Sequence, residues 1–383
     1  MPVKQIDIEE FLKLSQEHPI FDVRSPSEFS HAHIPGAFSL PLFTDEQRKI
    51  IGTAYKQQSR HVAVDHGLHY FSDRMKMIPG EALTILNNWK QESNSRSFSS
   101  SSPSGVGGPR FLVHCWRGGM RSEAVAWLLS LYGYSVYTLK GGYKAFRNFA
   151  LQQFEKEHQI NILGGYTGSG KTEILKEMQR QDKPVIDLEK LACHKGSAFG
   201  DLGEAPQPTQ EMFENLLAIE LFKINVTEEK RVTNRNEYTK IPEPGIWIED
   251  ESRNIGNVNI PAKFWEQMRQ GKLHFLEIPF DSRLDFITSV YGSFKKSDLI
   301  NSVVKIQKKL GGMETKNAIN FFLENNPKES FRILLQHYDK LYRRSLQKRE
   351  NLESILRNIE CESVTFRNAD KLHSNNMSNL VTK

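Results

Sequence analysis

Residues Gly165–Thr172, GYTGSGKT, constrain most strongly what this chain can fold into. They match the phosphate-binding pattern G-x-x-x-x-G-K-[ST], with an apolar segment before them (Gln159–Leu163) and a helical pattern after them (Thr172–Arg180). Glycines let backbone N–H groups approach phosphate oxygens, and the lysine adds a positive charge. The pattern predicts a strand, a P-loop and a helix, with phosphate contacts from Gly165, Gly168, Gly170, Lys171 and Thr172.

A P-loop recognises a chain of phosphates rather than ATP itself, so any diphosphate ester fits the pattern. The segment Ile246–Asp250 (IWIED) ends in acids, and Glu249 or Asp250 is the candidate for a Walker B-like carboxylate beside the loop. A solvated acidic loop is an equally good interpretation of this segment. The sequence is compatible with magnesium, but it assigns no residue as a metal ligand.

A second glycine-rich turn surrounds a cysteine in Phe111–Ser122, FLVHCWRGGMRS. A strand is expected to end at His114, and a helix to begin at about Ser122, which would be its N-cap. Backbone N–H groups in the turn, the helix N-terminus and two arginines all favour an anion. We therefore expect a thiol of depressed pKa and a bound oxyanion, with the catalytic residues Cys115, Arg117, Gly118, Gly119 and Arg121. A buried structural cysteine is the alternative.

The chain alternates short apolar segments with helical patterns, which indicates open parallel α/β sheets. The expected strands are Pro19–Val23, Phe111–His114, Val136–Leu139, Gln159–Leu163, Pro184–Asp187, Gly245–Glu249 and Leu273–Ile278. Two α/β domains are predicted, residues 1–150 and residues 155–383, the second with a helical, basic C-terminal portion. The Ser-rich segment 93–109 is predicted to be a flexible surface insertion in the first domain.

The composition excludes several classes of protein. Hydrophobic residues make up 38% and charged residues 25% of the 383, as in globular proteins. No apolar stretch approaches the roughly 20 residues of a membrane-spanning helix, and the N-terminal residues do not resemble a signal peptide. Three cysteines far apart, without a C-x-x-C pair, do not suggest a disulfide framework or a zinc site. We expect a cytoplasmic protein, and the net charge of +5 permits a polyanionic partner.

The first domain resembles the rhodanese fold. The resemblance rests on Asp22–Arg24 (DVR), Glu28–Phe29, His33–Ala37 (HIPGA) and the Cys115 turn. Asp22 and Arg24 are expected to form a buried ion pair. The turn, with five residues between its cysteine and arginine, is one residue longer than in ordinary rhodaneses and is similar to that of dual-specificity phosphatases of the same fold. A wider turn suits a tetrahedral anion, either a phosphate ester or selenophosphate.

Further motifs make the whole chain resemble the tRNA 2-selenouridine synthase family, in which a rhodanese-like domain precedes a P-loop domain. They are GTAYKQ (Gly52–Gln57), CWRGGMRS (Cys115–Ser122), KGSAFG (Lys195–Gly200) and EDESRNIG (Glu249–Gly256). The resemblance implies a tRNA substrate with 2-thiouridine at the wobble position, in tRNAs for lysine, glutamate and glutamine. It implies geranylation of the sulfur by geranyl diphosphate and then selenation by selenophosphate, without a firmly implied cofactor.

Roles for the two sites follow as hypotheses. The P-loop would hold the diphosphate of the geranyl donor, and the Cys115 turn would hold selenophosphate, with Cys115 carrying selenium as a selenosulfide. The basic C-terminal helix would contact tRNA phosphates through Arg343, Arg344, Lys348 and Arg349, and Tyr338 or Tyr342 would stack on a base. A solvated amphipathic helix is an equally good interpretation.

Three other functions fit parts of the sequence. A phosphatase would use Cys115 and Arg121 and hydrolyse aryl phosphates. A small-molecule kinase fused to a sulfur carrier would consume ATP. A non-catalytic tRNA-binding protein would have no reason to keep both a nucleophile and a phosphate-binding lysine.

Overall fold

A computed structural model describes residues 3–94, 110–233 and 245–374. The chain divides into two units, Met1–Gln152 and Gln153–Lys383. Both are α/β, and each is built on a five-stranded sheet in which all neighbouring strands are parallel. This confirms the predicted fold class.

The first unit has strand order β1-β5-β4-β2-β3. Its strands are β1 (Lys4–Ile6), β2 (Ile20–Asp22), β3 (Ala37–Ser39), β4 (Arg110–His114) and β5 (Ser135–Leu139). Its helices are α1 (Ile8–Leu14), α2 (Pro26–His31), α3 (Asp45–Gln57), α4 (Arg60–Arg74), α5 (Ile78–Asn94), α6 (Met120–Leu131) and α7 (Gly142–Glu155).

The strand β4 lies at the centre of the first sheet. Its residues Phe111, Leu112 and Val113 are fully buried, as expected for a parallel strand that is covered on both faces. On one face, Phe111 and Val113 join a core with Phe71 of α4 and Ile78 of α5. The helices α3, α4 and α5 were not predicted from the sequence, and they complete the half of the unit next to the cysteine turn.

The second unit has strand order β12-β11-β6-β8-β7. Its strands in this sheet are β6 (Ile160–Gly165), β7 (Val185–Ile186), β8 (Ile246–Glu249), β11 (Lys272–Glu277) and β12 (Leu356–Glu360), and β9 (Asn254–Ile255) and β10 (Val258–Asn259) form a separate hairpin. Its helices are α8 (Lys171–Arg180), α9 (Leu188–Ala192), α10 (Gln210–Thr233), α11 (Ala262–Gln270), α12 (Phe280–Tyr291), α13 (Lys296–Lys305), α14 (Gln307–Leu310), α15 (Gly312–Leu323), α16 (Pro327–Gln347), α17 (Leu352–Ile355) and α18 (Asn368–Ser374).

The C-terminal portion is helical, as predicted, but it also contributes a strand that the sequence analysis missed. After α16 and α17 the chain returns to the sheet as β12, which pairs with β11 at the edge. Only Ile359 of this strand is buried, because an edge strand needs little apolar surface. The sequence LRNIE therefore lacks the apolar run by which the buried strands were found.

Each of the seven predicted strands overlaps an observed strand. The predicted Ser-rich insertion lies mostly outside the described residues, although its first two residues, 93 and 94, still belong to α5. No helix in the described ranges is long and apolar enough to cross a bilayer.

Candidate active site

Cys115 lies directly after β4, at the carboxyl edge of the first sheet, where functional residues of open parallel sheets gather. The helix after the turn begins at Met120 with Gly119 as its N-cap, so the prediction that Ser122 caps it was wrong. Ser122 is instead buried in the first turn of α6 and donates a hydrogen bond of 3.0 Å to the carbonyl of Gly119. Its Oγ lies 3.3 Å from the Sγ of Cys115.

These surroundings favour the thiolate of Cys115. Burial raises the pKa of a thiol, but here the Ser122 hydroxyl, the positive charge of Arg121 and backbone hydrogen bonds at Gly119 and Ser122 outweigh it. The pKa of Cys115 is therefore lowered from its ordinary value. A thiolate next to a helix N-terminus and an arginine is the form that acts as a nucleophile.

The two arginines of the turn differ in their surroundings. The Nη1 of Arg121 forms a 2.9 Å hydrogen bond to the Oε2 of Glu28, a residue of α2. Burial raises the pKa of Glu28, but the charge of Arg121 and a hydrogen bond from Ser25 outweigh this effect. The pKa is therefore lowered from its ordinary value, and the carboxylate stays ionised. The side chain of Arg117 is exposed. Arg121 is thus held by an ion pair with α2, whereas Arg117 faces solvent.

The turn is held by a close backbone contact with the start of α7. Gly118 has a φ of +65° and Gly142 a φ of +59°. A Cβ on Gly142 would overlap the carbonyl of Cys115 and the nitrogen of Gly118. The N–H groups of Tyr143 and Lys144 donate to the carbonyls of Cys115 and Trp116 at 2.8 and 3.0 Å. Glycine at both positions therefore allows the two backbone segments to approach this closely.

Asp22 and Arg24 brace the fold beneath the turn. The Nη2 of Arg24 lies 2.6 Å from the Oδ2 of Asp22, both side chains are fully buried, and the guanidinium lies 3.9 Å from the ring centre of Tyr143. The same guanidinium donates to the carbonyl of Ala32 at 2.7 Å. This arrangement agrees with the predicted buried ion pair and places neither residue on the open side of the turn.

The P-loop joins β6 to α8 and contains Gly165, Gly168 and Gly170, with Lys171 as the first residue of the helix. The ammonium of Lys171 donates to the carbonyl of Gly165 at 3.0 Å and lies 3.4 Å from the Oε1 of Glu249. The hydroxyl of Thr172 donates to Glu249 at 3.3 Å and lies 3.4 Å from a carboxylate oxygen of Glu189. The five predicted phosphate-binding residues are therefore in one loop and its helix start.

The structure separates the two candidate carboxylates at the end of β8. Glu249 faces Lys171 and Thr172, whereas Asp250 accepts a 2.6 Å hydrogen bond from the hydroxyl of Tyr342 and lies 3.3 Å from the Nη1 of Arg349. Glu249 is thus the acid beside the P-loop. The hydroxyl of Tyr342 is engaged in this hydrogen bond inside the second unit, contrary to the expectation that Tyr342 stacks on a base.

Three carboxylates gather next to Thr172. Oxygens of Glu189, Glu249 and Glu251 lie within 4.8 Å of one another. Burial, followed by the charges of Glu249 and Glu251, raises the pKa of Glu189 to about 10, and burial followed by the charge of Glu249 raises that of Glu251 to about 8. Clustered carboxylate oxygens and a hydroxyl are the ligands that Mg²⁺ prefers, so these residues fit a magnesium ion.

The predicted tRNA-binding residues do not form one surface. Arg343, Arg344 and Lys348 are exposed on and after α16, and the Nε of Arg343 donates to the hydroxyl of Tyr166 in the P-loop at 2.9 Å. Arg349 is buried and donates to the carbonyls of Met268 and Arg269. Its assignment as a tRNA contact was wrong, because its guanidinium is used inside the second unit.

Several functional residues escaped the sequence analysis. The pair Gly141–Gly142 after β5 was a signal for a close backbone approach that was not used. Glu189 follows β7 and Glu251 follows β8, and the carboxyl ends of parallel strands meet at one edge of a sheet. Their proximity to the P-loop was therefore predictable. The link between Arg121 and Glu28 had no local signal, because 93 residues separate them.

The first unit thus has a thiol of lowered pKa at the carboxyl edge of its sheet, and the second unit has a P-loop beside three clustered carboxylates. The profile of the rhodanese-like domain matches residues 7–149, and that of the tRNA 2-selenouridine synthase AAA domain matches residues 158–369.

Whole-chain relatives agree with these matches. A tRNA 2-selenouridine synthase from Nitrosomonas eutropha is 31% identical over 397 residues, covering 90% of this chain and 93% of that protein. Those from Shewanella piezotolerans and Sulfurovum sp. are 31% and 32% identical and cover 91% and 85% of this chain, and 94% and 87% of their own lengths. The chain belongs to the tRNA 2-selenouridine synthase family and is an enzyme.

Proposed function

We propose that this enzyme replaces the sulfur of 2-thiouridine by selenium at the wobble position of tRNAs for lysine, glutamate and glutamine. Geranyl diphosphate first alkylates the sulfur, and selenium from selenophosphate then displaces the geranylthio group. The observation that carries the proposal is the low-pKa thiol of Cys115 in an anion-binding turn, in a family member that also has a P-loop.

The first step suits the second unit. The base sulfur attacks the first carbon of the geranyl group, the carbon–oxygen bond breaks, and diphosphate leaves with the electron pair while the base loses its N3 proton. A P-loop binds a chain of phosphates, and Lys171 would neutralise the charge that develops on the leaving diphosphate. Its ammonium is held between the carbonyl of Gly165 and Glu249, and is therefore already positioned.

The second step suits the first unit. The selenium of selenophosphate attacks C2 of the base, the carbon–sulfur bond breaks, and geranylthiol leaves with one proton. Water then cleaves the selenium–phosphorus bond, which yields 2-selenouridine and phosphate without oxidation or reduction. The turn at Cys115 would bind the tetrahedral anion through its N–H groups and arginines. Cys115 would not carry selenium as a selenosulfide here, because joining its sulfur to the selenide-level selenium of selenophosphate would need a two-electron oxidant. Its thiolate would instead take the proton of selenophosphate as the selenium attacks, and return that proton to the departing geranylthiol.

A divalent cation and a cytoplasmic location complete the proposal. Thr172, Glu189, Glu249 and Glu251 would hold Mg²⁺, which supplies charge for the diphosphate when it is bound. All three cysteines are free thiols, Cys115, Cys193 and Cys361, as suits the reducing cytoplasm.

The test uses purified enzyme, tRNA that contains 2-thiouridine, geranyl diphosphate and selenophosphate, each donor being omitted in turn. Nucleosides from the digested tRNA are analysed by mass spectrometry. We expect S-geranyl-2-thiouridine without selenophosphate and 2-selenouridine when both donors are present. Selenation that needs no geranyl diphosphate, or turnover of aryl phosphate or ATP without a modified nucleoside, would contradict the proposal.

A further inference from the structure

A cavity of about 620 Å³ lies beside Cys115 in the first unit. Its walls are α3, α4 and the cysteine turn, which contributes Cys115 itself together with Arg121 at the start of α6. Small-molecule sites usually have volumes of about 300–1,000 Å³. The cavity is thus large enough for a substrate, and Cys115 forms part of its wall.

The walls of this cavity are mostly hydrocarbon. Its apolar lining includes Phe43, Ile51, Val64, Leu68, Phe71 and Met120. Leu68 is 60% exposed and Met120 54% exposed, although both belong to this lining. Large apolar side chains that remain open to solvent around a cavity indicate an apolar ligand rather than a packed core.

Positive charges accompany the hydrocarbon. Arg48, Lys56, Arg60, Arg117 and Arg121 also line the cavity, and none of the described lining residues is acidic. The side chains of Lys56, Arg60 and Arg117 are exposed. A hydrocarbon wall with a cationic rim is complementary to an apolar chain that is attached to a phosphate-bearing molecule.

We propose that this cavity holds the geranyl chain of S-geranylated uridine while selenium displaces the geranylthio group. The inference rests on the proposed function and adds the place of the leaving group. In that step the selenium donor and the departing sulfur must both be next to C2 of the base. The cavity and the anion-binding turn share Cys115 and Arg121, so the two groups would meet there. The cationic rim would contact the phosphates that flank the modified nucleotide.

The experiment measures selenation of tRNAs whose 2-thiouridine already carries either a geranyl or a methyl group on sulfur. Leu68→Glu places a carboxylate on the apolar wall at an exposed position, where folding should tolerate it. Leu83→Glu on α5 is the matched control, because Leu83 is an exposed leucine outside the cavity lining. We expect Leu68→Glu to lower the ratio of kcat/KM for the geranyl and methyl substrates at least tenfold, and Leu83→Glu to leave that ratio at the wild-type value.

Val64→Trp provides a second variant that fills the cavity without adding charge, and circular dichroism checks that both variants are folded. An unchanged geranyl-to-methyl ratio in both folded variants overturns the inference. So does a loss confined to the alkylation of 2-thiouridine by geranyl diphosphate, since the donor and not the intermediate would then occupy the cavity. Failure of the wild-type enzyme to selenate the geranylated tRNA would instead overturn the proposed function itself.

Discussion

The Oγ of Ser122 lies 3.3 Å from the Sγ of Cys115, within the first turn of α6. The hydrogen bond between this hydroxyl and the sulfur is the first of the contributions that lower the pKa of Cys115, and it therefore favours the thiolate over the thiol. Because Ser122 is buried and packs below the turn, the hydroxyl is fixed in place. The ionisation of the central thiol is thereby linked to a residue that sequence analysis had assigned to a helix cap.

Ser122→Ala should raise the pKa of Cys115, because the variant loses the first of the contributions that lower it. The rate of iodoacetamide alkylation at Cys115 is measured as a function of pH. The midpoint of this curve should lie at a higher pH for the variant than for the wild type. Peptide mass spectrometry resolves Cys115 from Cys193 and Cys361. Glu28→Gln should act in the opposite direction, since it removes the negative charge that faces Arg121. Equal midpoints in all three proteins would contradict this account of the thiol.

Cys115→Ala and Lys171→Ala should impair different steps. We expect Cys115→Ala to lower selenation of geranylated tRNA by about 100-fold or more and to retain geranylation. Lys171→Ala should lower geranylation by a similar factor of about 100-fold and retain selenation of tRNA that is already geranylated. Both rates are measured by nucleoside mass spectrometry. Full selenation by Cys115→Ala would contradict the role of Cys115 in selenation. Full-rate geranylation by Lys171→Ala would contradict the role of Lys171 in geranylation.

Gly142→Ala should disrupt the cysteine turn. A Cβ there would overlap the backbone of Cys115 and Gly118, in addition to the strain of a φ of +59°. Gly36→Ala is the matched control, since Gly36 has a φ of +82° but no atom within 4 Å of the added Cβ. The control should cost about 1–2 kcal/mol from strain alone, and Gly142→Ala about 2 kcal/mol more. Chemical denaturation measures both free energies, and equal values would contradict the steric argument.

The basic residues near the end of α16 should divide into two groups. Arg344→Ala with Lys348→Ala should weaken tRNA binding and lower the slope of log K against log salt by about one per residue. Arg349→Ala should instead lower the free energy of unfolding by about 3 kcal/mol, because it removes the buried positive charge that faces Asp250. Salt-dependent filter binding and urea titration separate the two effects. An unchanged salt slope in the double variant would exclude this surface from tRNA binding.

Glu189→Gln should become more stable relative to the wild type as the pH rises. The pKa of Glu189 is raised to about 10 in the folded protein, above its ordinary value of 4.5. The folded state therefore holds this proton more tightly than the unfolded chain, and that stability is lost as the pH increases from 4.5 towards 10. The quantity measured is the Tm of Glu189→Gln minus the Tm of the wild type. We expect this difference to be larger at pH 9 than at pH 5 by at least about 3 °C. Glu353→Gln, on an exposed residue, should show no such trend.

The buried strands and both glycine-rich loops were predictable from the sequence, because parallel strands leave continuous apolar runs and phosphate loops require particular residues. The edge strand β12 left no such run. The cavity was also beyond prediction: its walls come from α3 and α4, more than 40 residues before Cys115, and only packing brings them together. The choice between Glu249 and Asp250 likewise depended on Tyr342, which is 92 residues away from Asp250.

The central claim is that sulfur leaves the base as geranylthiol while selenium enters. The most direct measurement supplies the enzyme with isolated S-geranyl-2-thiouridine tRNA and selenophosphate, without geranyl diphosphate, and quantifies both geranylthiol and 2-selenouridine. The account predicts that the two products appear at equal rates and in equal amounts. Formation of 2-selenouridine without geranylthiol, or release of geranylthiol without 2-selenouridine, would contradict it.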